Sequence, residues 1–387
     1  MKLAVITDTH FGSHGSSPAI LETQSRFFKD VFFPHLTIEG VTDVLHLGDF
    51  FDNRRETNSM TLQAVNECYI SESKKRGIRT TIIPGNHDCY YKSTNSVNSL
   101  DLLLLPHGKE VFDVITSPIT TKWGIDLIPW ISPENEAECL KFIRDSRSRV
   151  CAGHFAINGF DVGAHLEEHG LQESIFSKYS EVWSGHFHKK QESRRIQYLG
   201  SPYPLSFGEA PFPHGYYIAT VPVPKNYVGG GGDEKILKFF ENPVSSFVFV
   251  HPIASWFSEG REDHLSVDRY KNSYVKVIVA DPKIDEYKLS LWLSEVNKVA
   301  YKVIVVDATQ QFDPLSPLDN PLMEHDGKEH GSVDTSMGSQ NPLHRDHHLA
   351  GIIKKYVSET STGDAGVDNG VLGYLMDLHS RAISDGQ

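Results

Sequence analysis

The sequence predicts an α/β protein: a layered sheet with helices on its faces. Short β-branched runs alternate along the chain with stretches of helical spacing. Five strand-like segments end with Asp, Asn or His close behind, four of them directly after glycine. The chain is also long enough, at 387 residues with 39% hydrophobic, for a well-filled core and a second domain or appendages. In open α/β sheets ligands bind at the carboxyl ends of strands, so the same pattern says where to look for chemistry.

Residues 2–7 read as a buried strand ending in Asp8-Thr9-His10, and two residues apart on an extended backbone point to one side. Leu21, Phe27, Phe28, Val31 and Phe32 have helical spacing over residues 21–37. A second strand, 43–47, runs into Gly48-Asp49-Phe50-Phe51-Asp52. A helix over about 60–76 leads to the strand 78–82 and to Ile83-Pro84-Gly85-Asn86-His87-Asp88, where a Pro-Gly turn delivers an amide, an imidazole and a carboxylate in succession. Residues 100–105 read as a short buried helix, 125–130 as a strand with a turn and 134–147 as a helix. The strand 150–153 ends in His154, and 181–184 ends in Gly185-His186-Phe187-His188. Any one such strand end is an ordinary polar turn, but five in one domain are hard to explain as core histidines or solvated loops. Glycine at these ends lets the backbone come close to whatever the side chains hold.

Beyond residue 220 the pattern changes. Strand-like runs at 247–250, 274–280 and 303–306 surround a helix at 286–296, which suggests a small α+β accessory domain over 221–310 with no visible chemistry. Residues 311–344, rich in Pro, Gly, Ser, Asp and His, read as a flexible linker whose histidines form a solvated tract. Residues 345–387 hold two amphipathic stretches. Leu349, Ile352, Ile353, Tyr356 and Val357 share one helical face, as do Leu372, Leu375, Met376, His379 and Ile383. A helix pair joined by a Ser/Thr/Gly-rich segment does not easily bury both stripes within itself, so a partner groove is the expected occupant.

The net charge of −13 at first speaks against a nucleic-acid partner, yet residues 311–387 carry 12 Asp/Glu against 5 Lys/Arg, more than half the excess. No apolar window is long enough to span a bilayer and no signal-peptide pattern opens the chain. The four cysteines, Cys68, Cys89, Cys139 and Cys151, form no close pair, which fits a reducing cytoplasm and argues against a zinc–thiolate site.

The candidate ligands are therefore Asp8, His10, Asp49, Asn86, His154, His186 and His188. Oxygen and imidazole without thiolate suit manganese, iron or zinc rather than calcium. Seven ligands are too many for one ion and fit two, with one carboxylate bridging. Paired ions roughly 3.5–4 Å apart clamp the attacking and leaving oxygens of an in-line displacement at phosphorus. His87 is placed to protonate the departing oxygen and Asp88 to fix its tautomer.

Asp-x-His, Gly-Asp-x-x-Asp, Gly-Asn-His-Asp, Gly-His and Gly-His-x-His, in this order, resemble the signature of calcineurin-like metallophosphoesterases. Within that family Ile128-Pro129-Trp130, residues 153–160 and Val182-Trp183-Ser184-Gly185-His186-Phe187-His188 look like the SbcD-type double-strand-break repair nucleases, phage recombination endonuclease subunits among them. The likeness is strong over 1–220 and weaker beyond. It implies a β-sandwich flanked by helices, with an α+β capping domain at 221–310 and a C-terminal helix pair that docks on an SbcC-like SMC/ABC-type ATPase. The resemblance assigns Asp8, His10 and His188 to one metal, and Asn86, His154 and His186 to the other. Asp49 then bridges, and His87 is the acid or transition-state stabiliser. Two manganese ions are implied, with magnesium, iron or zinc as other occupants. So is a homodimer within a heterotetramer in the cytoplasm, of a bacterium or of a phage host. Some relatives carry histidine where this chain has Asp52, so a second catalytic histidine is not available there.

Arg54, Arg55, Lys189 and Lys190 follow ligand motifs directly and are candidates to receive DNA phosphates, while Lys74, Lys75 and Arg76 end a helix, where cations suit the dipole. Tyr90 and Tyr91 are candidates to stack on an unpaired base. So few clustered cations predict weak, salt-dependent DNA binding by the isolated chain. A phosphoprotein or cyclic-nucleotide phosphoesterase is the rival reading. Phosphoprotein phosphatases of this superfamily usually have Asp-Arg-Gly and Asn-His-Glu where this chain has Asp52-Asn53-Arg54 and Asn86-His87-Asp88, which tells against it. A silent scaffold for an ATPase is a second rival, and nothing in the ligand set looks degraded.

Overall fold

The structure is a computed structural model that describes residues 1–162, 166–224, 227, 236–258 and 265–308. The expected linker at 311–344 and the helix pair at 345–387, with Leu349, Ile352, Ile353, Tyr356, Leu372, Leu375 and Met376, lie outside the described residues. In chain order the strands are β1 (Lys2–Ile6), β2 (Asp43–His46), β3 (Arg79–Ile82), β4 (Phe112–Val114), β5 (Ile119–Thr120), β6 (Ile125–Ile128), β7 (Val150–His154) and β8 (Glu181–Gly185). They continue with β9 (Gln191–Ser193), β10 (Ile196–Tyr198), β11 (Gly215–Thr220), β12 (Leu237–Glu241), β13 (Phe247–Val250), β14 (Tyr274–Val279) and β15 (Lys302–Asp307).

β7 and β8 are buried along their whole length and β1 after Lys2, as parallel strands covered on both faces are, whereas β2 and β3 begin at the half-buried Asp43 and the exposed Arg79. In the first sheet the order is β12-β11-β1-β2-β3-β4, with β1 through β4 mutually parallel. In the second it is β5-β6-β7-β8-β10-β9, with β6, β7, β8 and β10 parallel. Side chains alternate between two cores. Leu3 and Val5 of β1, Leu45 of β2, Leu127 of β6, Val150 and Ala152 of β7 and Trp183 of β8 fill the space between the sheets. Ala4, Ile6 and Val44 face the other way, onto helices rich in aromatic residues. Cys151 and Val182 of the second sheet likewise face an outer core with Cys139 and Ile143 of the helix Glu136–Asp145. The expected β-sandwich flanked by helices is thus present as a mixed α/β fold.

Local chemistry explains where the elements differ from expectation. The first helical run starts at Pro18, a residue pre-organised for a helix's first turn, and passes through a π turn at Phe27–Phe32 before continuing to Glu39. Through that turn Phe27, Phe28, Phe32 and Phe33 all reach the core with no exposed surface, the wider π turn bringing them onto a narrower arc than α spacing would. β4, β5, β9, β10 and β12 are short and of mixed polarity and carry little periodic signal. β11 returns from far along the chain to lie antiparallel beside β1, with Lys2 opposite Thr220 and Val5 opposite Tyr217. β12 extends the same sheet, so it draws an edge strand from beyond residue 220.

The chain divides into two compact units, one of Met1–Val248 with Asn272–Tyr274, the other of Phe249–Lys271 with the described residues from Val275 onward. In the second unit the helix Glu286–Val299, capped by the Asp285 carboxylate on the Lys288 N–H, buries Trp292 and Val296. β13, β14 and β15 form a three-stranded sheet in that order. No helix among the described residues is long and apolar enough to cross a membrane.

Candidate metal centre

The ligand-bearing loops keep pairing after the strands stop. The Asp8 N–H donates to the Gly48 carbonyl at 3.0 Å, that of His10 to Asp49 at 3.1 Å and that of Phe11 to Phe50 at 2.8 Å. Gln24, fully buried, donates its amide to the carbonyls of Thr9 and His10. These bonds hold Asp8, His10 and Asp49 at φ of 52°, 42° and 53°, and His186 sits at 92°. Left-handed backbone in non-glycine residues costs about 1–3 kcal/mol each and persists only where the surroundings over-determine it. Two glycines are required by close approach. A Cβ on Gly85 would overlap the Asp49 carboxylate, and one on Gly185 would overlap the Thr7 hydroxyl and crowd Asp8.

All seven predicted ligands meet at the carboxyl ends of β1, β2, β3, β7 and β8. Asp8, His10 and His188 bring ligand atoms within 4.8 Å of one another, and so do Asp49, His154 and His186. Asn86 joins the second group, its Oδ1 lying 3.0 Å from His154 Nε2 and 2.8 Å from His186 Nδ1. Asp49 stands between the two: Oδ2 is 3.6 Å from His10 Nε2 and 3.3 Å from His154 Nε2. Its Oδ1 accepts the His87 N–H at 2.8 Å. The Asp8 carboxylate accepts the His186 N–H through both oxygens, at 3.0 and 3.1 Å.

The imidazoles are aimed from behind. His10 Nδ1 faces Asp52 Oδ1 at 3.1 Å, His188 Nδ1 faces Glu209 Oε1 at 3.2 Å and His154 Nδ1 faces the Leu47 carbonyl at 2.8 Å. Each of these partners accepts, so each Nδ1 carries the proton and each Nε2 turns a lone pair inward. His10 Nε2 and His188 Nε2 then meet at 3.0 Å, and His154 Nε2 meets the Asn86 oxygen at the same distance. Lone pairs so placed repel unless positive charge stands between them. The donor set therefore fits a pair of divalent cations, one per cluster, with no thiolate among the ligands.

The electrostatics agree with a negatively charged cradle. Burial is the largest single influence on His154 and lowers it, but the Asp49 charge and hydrogen bond, the Asp8 charge and the Leu47 carbonyl together raise the imidazole to about 9. Burial is likewise overcome at His188, which the Glu209 hydrogen bond together with the charges of Asp8, Glu209 and Asp49 lifts to about 9. His186 goes the other way, to about 3, driven by burial and then by His154. Burial would raise Asp52, yet the His10 hydrogen bond and charge hold it below the ordinary carboxylate range.

Some expected roles change. Asp88 does not orient His87. Its carboxylate is fully buried and accepts the N–H groups of Gly85 at 2.9 Å, Phe50 at 3.1 Å and Phe51 at 3.1 Å, which ties the loops after β2 and β3 together. The His87 ring instead directs Nδ1 at the Asp52 carbonyl, at 2.5 Å. Lys189 is paired with Asp161 at 2.7 Å and lies over the Phe212 ring, and Lys190 lies 4.2 Å from the Phe239 ring centre. Both ammonium groups are engaged by the protein itself, which leaves Arg54 and the exposed Arg55 as the better candidates for phosphate. Tyr90 and Tyr91 are 42% and 51% exposed, with their rings edge to face. Two supporting carboxylates went unassigned. Asp52 was visible in the Gly-Asp-x-x-Asp spacing, whereas Glu209, 21 residues beyond His188 in an irregular segment, had no signal.

A sandwich with paired ligand clusters at its strand ends is a metallophosphoesterase architecture, and the model of the calcineurin-like phosphoesterase family matches residues 1–196. The chain belongs to that family and is a hydrolase of its kind, with divalent metals implied. It is 28% identical over 330 residues to exonuclease subunit 1 of Enterobacteria phage T4, an alignment covering 85% of this chain and 88% of that protein. A likeness to a crystal structure of a dimetal phosphatase from Danio rerio covers 57% of this chain and 92% of that one at 10% identity. Its TM-score of 0.32 is too low to carry an argument.

Proposed function

We propose that this protein is a manganese-dependent DNA nuclease, with exonuclease and single-strand endonuclease activity, that works in recombination and double-strand-break repair with an SbcC-like ATPase. The observation that carries it is Asp49, whose Oδ2 faces one imidazole of each cluster at 3.6 and 3.3 Å, a geometry suited to joining two cations around one phosphodiester. Likeness to a phage exonuclease subunit over 85% of the chain supports DNA as the substrate. Manganese is the metal the family resemblance implies, and magnesium, iron and zinc fit the same oxygen and imidazole donors.

When bound, a pair of divalent cations supplies an acidified water and neutralises charge on the phosphate. Asp8, His10 and His188 would hold one and Asn86, His154 and His186 the other, with Asp49 shared. The chain's own contribution to the reaction centres on His87. Its Nδ1 is committed to the Asp52 carbonyl, so Nε2 is the atom that exchanges a proton. As a hydroxide oxygen, its proton already released to solvent, bonds to phosphorus and the P–O ester bond breaks, a doubly protonated His87 passes its Nε2 proton to the departing alkoxide and is left neutral, with its Nδ1–H still on the Asp52 carbonyl. Arg54 and Arg55 receive flanking phosphates, and Tyr90 and Tyr91 offer faces to bases. Residues 1–220 form the nuclease domain in this reading, 221–310 the capping domain, and 345–387 the ATPase docking element, joined by the 311–344 linker.

The test uses the full chain with linear duplex and circular single-stranded DNA, with manganese and with chelator. Cleavage that requires manganese, and that falls about 10²–10⁴-fold in kcat for His87→Ala with manganese binding retained, supports the assignment. Hydrolysis of phosphopeptide or cyclic nucleotide with no DNA cleavage overturns it.

A further inference from the structure

The two ligand clusters are chemically unequal. Behind the Asp8/His10/His188 cluster stand two carboxylates, Asp52 on His10 and Glu209 on His188. Behind His154 stands a neutral carbonyl, that of Leu47. His186 turns its Nδ1 toward Asn86, itself neutral. Apart from the shared Asp49, one cluster thus has three carboxylates bonding or facing its ligand atoms. The other has none, the nearest being Asp8, which meets His186 only through its backbone N–H. A carboxylate behind an imidazole makes that imidazole a stronger donor and fixes its direction.

Glu209 is itself held in place. Its Oε2 accepts the Leu205 N–H at 2.7 Å, its carbonyl faces His214 Nε2 at 3.0 Å, and the Leu205 carbonyl in turn faces His14 Nε2 at 2.6 Å. His214 Nδ1 lies 3.1 Å from both the hydroxyl and the carbonyl of Ser201, whose N–H donates to the His188 carbonyl at 3.0 Å. The segment from Leu205 to His214 is thus a buttress that presents one carboxylate to one metal ligand.

We infer that the two clusters fill in order: Asp8, His10 and His188 take a divalent cation tightly and keep it, Asn86, His154 and His186 take a second one weakly and exchange it, and Glu209 is the positioning residue that sets the difference. The inference rests on the two-cation reading above and adds a ranking to it. Occupancy of the weak position then tracks free cation concentration, so the enzyme is switched by metal supply at a site already half built.

Manganese titration of the full chain, followed by calorimetry and by the EPR signal of free Mn2+, tests this without substrate. Two classes of one cation each, separated at least about tenfold, are expected, with Glu209→Gln weakening only the tighter class by about 10–100-fold. Glu209→Asp recovers part of that loss, and Asn86→Ala removes the weaker class alone. Should Glu209→Gln not fold, Asp52→Asn carries the same expectation through His10. Two equal sites, or an unchanged tight class in both variants, overturn the proposal. Two separated classes support it whether or not DNA is cut, so its failure is distinct from failure of the nuclease reading.

Discussion

The two sheets of the sandwich bring unlike chemistry to the same place. The first contributes every candidate oxygen ligand, Asp8, Asp49 and Asn86, with a single imidazole, His10. The second contributes His154, His186 and His188 and no carboxylate. The first sheet's loops are zipped to one another by backbone bonds and held in left-handed conformations. The second sheet's histidines are aimed by single partners, and two of those cross over: the Leu47 carbonyl on His154 and the Asn86 oxygen on His186. The His186 N–H crosses the other way, to Asp8. Negative charge thus sits on one wall and uncharged donors on the other. Neither wall is a site alone, and the centre reports on how the sheets pack.

The comparison breaks most completely at the residue both clusters share. Asp49→Asn is expected to take manganese binding and phosphoester hydrolysis to background, and activity within about tenfold of wild type would contradict a shared ligand. Next comes the packing between the walls. Trp183 is fully buried between the sheets with its indole N–H on Glu181, so Trp183→Ala should cost about 3–5 kcal/mol in denaturant melts. Gly85→Ala sharpens the contrast by pushing a methyl group at Asp49 while leaving the second sheet untouched. It should weaken cation binding by about 10–100-fold with little change in the packing of β7 and β8.

The smallest effect concerns His46, buried behind the first wall. The Gly48 N–H donates to its Nδ1, so its Nε2–H donates to the Thr9 hydroxyl, which passes the bond on to the Phe50 carbonyl. Burial, and then the charge on His154, lower it from 6.5 to about 3. A depressed imidazole stabilises the fold above its unfolded value and loses that contribution as pH falls. Stability should therefore decline from about pH 6.5 towards 3, and His46→Gln should flatten part of that slope in pH-dependent melts.

The strand-end motifs were legible because each packs its chemistry into a few consecutive residues, and all seven candidate ligands meet where those motifs placed them. What was not legible depends on direction or distance. Asp88 follows His87, but the turn points its carboxylate at the amides of Gly85, Phe50 and Phe51 instead of at the ring. Lys189 and Lys190 follow a ligand motif, but Lys189 pairs with Asp161 over the Phe212 ring and the exposed Lys190 lies by the Phe239 ring, contacts the local sequence does not announce. Positive φ at Asp8, His10, Asp49 and His186 leaves no sequence signature, because Asp and His reach that region more readily than other non-glycine residues yet do so at few positions. Glu209 reaches His188 from an irregular segment, and β11 reaches β1 across more than two hundred residues, so neither leaves a local pattern.

That late strand has a bearing on how the chain is made. Until residues 215–220 leave the ribosome, β1 has no neighbour on one side, although Asp8, Asp49, Asn86 and all three second-wall histidines have already been translated. A nascent or prematurely terminated chain would display β1 as a bare apolar edge, open to recruiting a strand from another molecule.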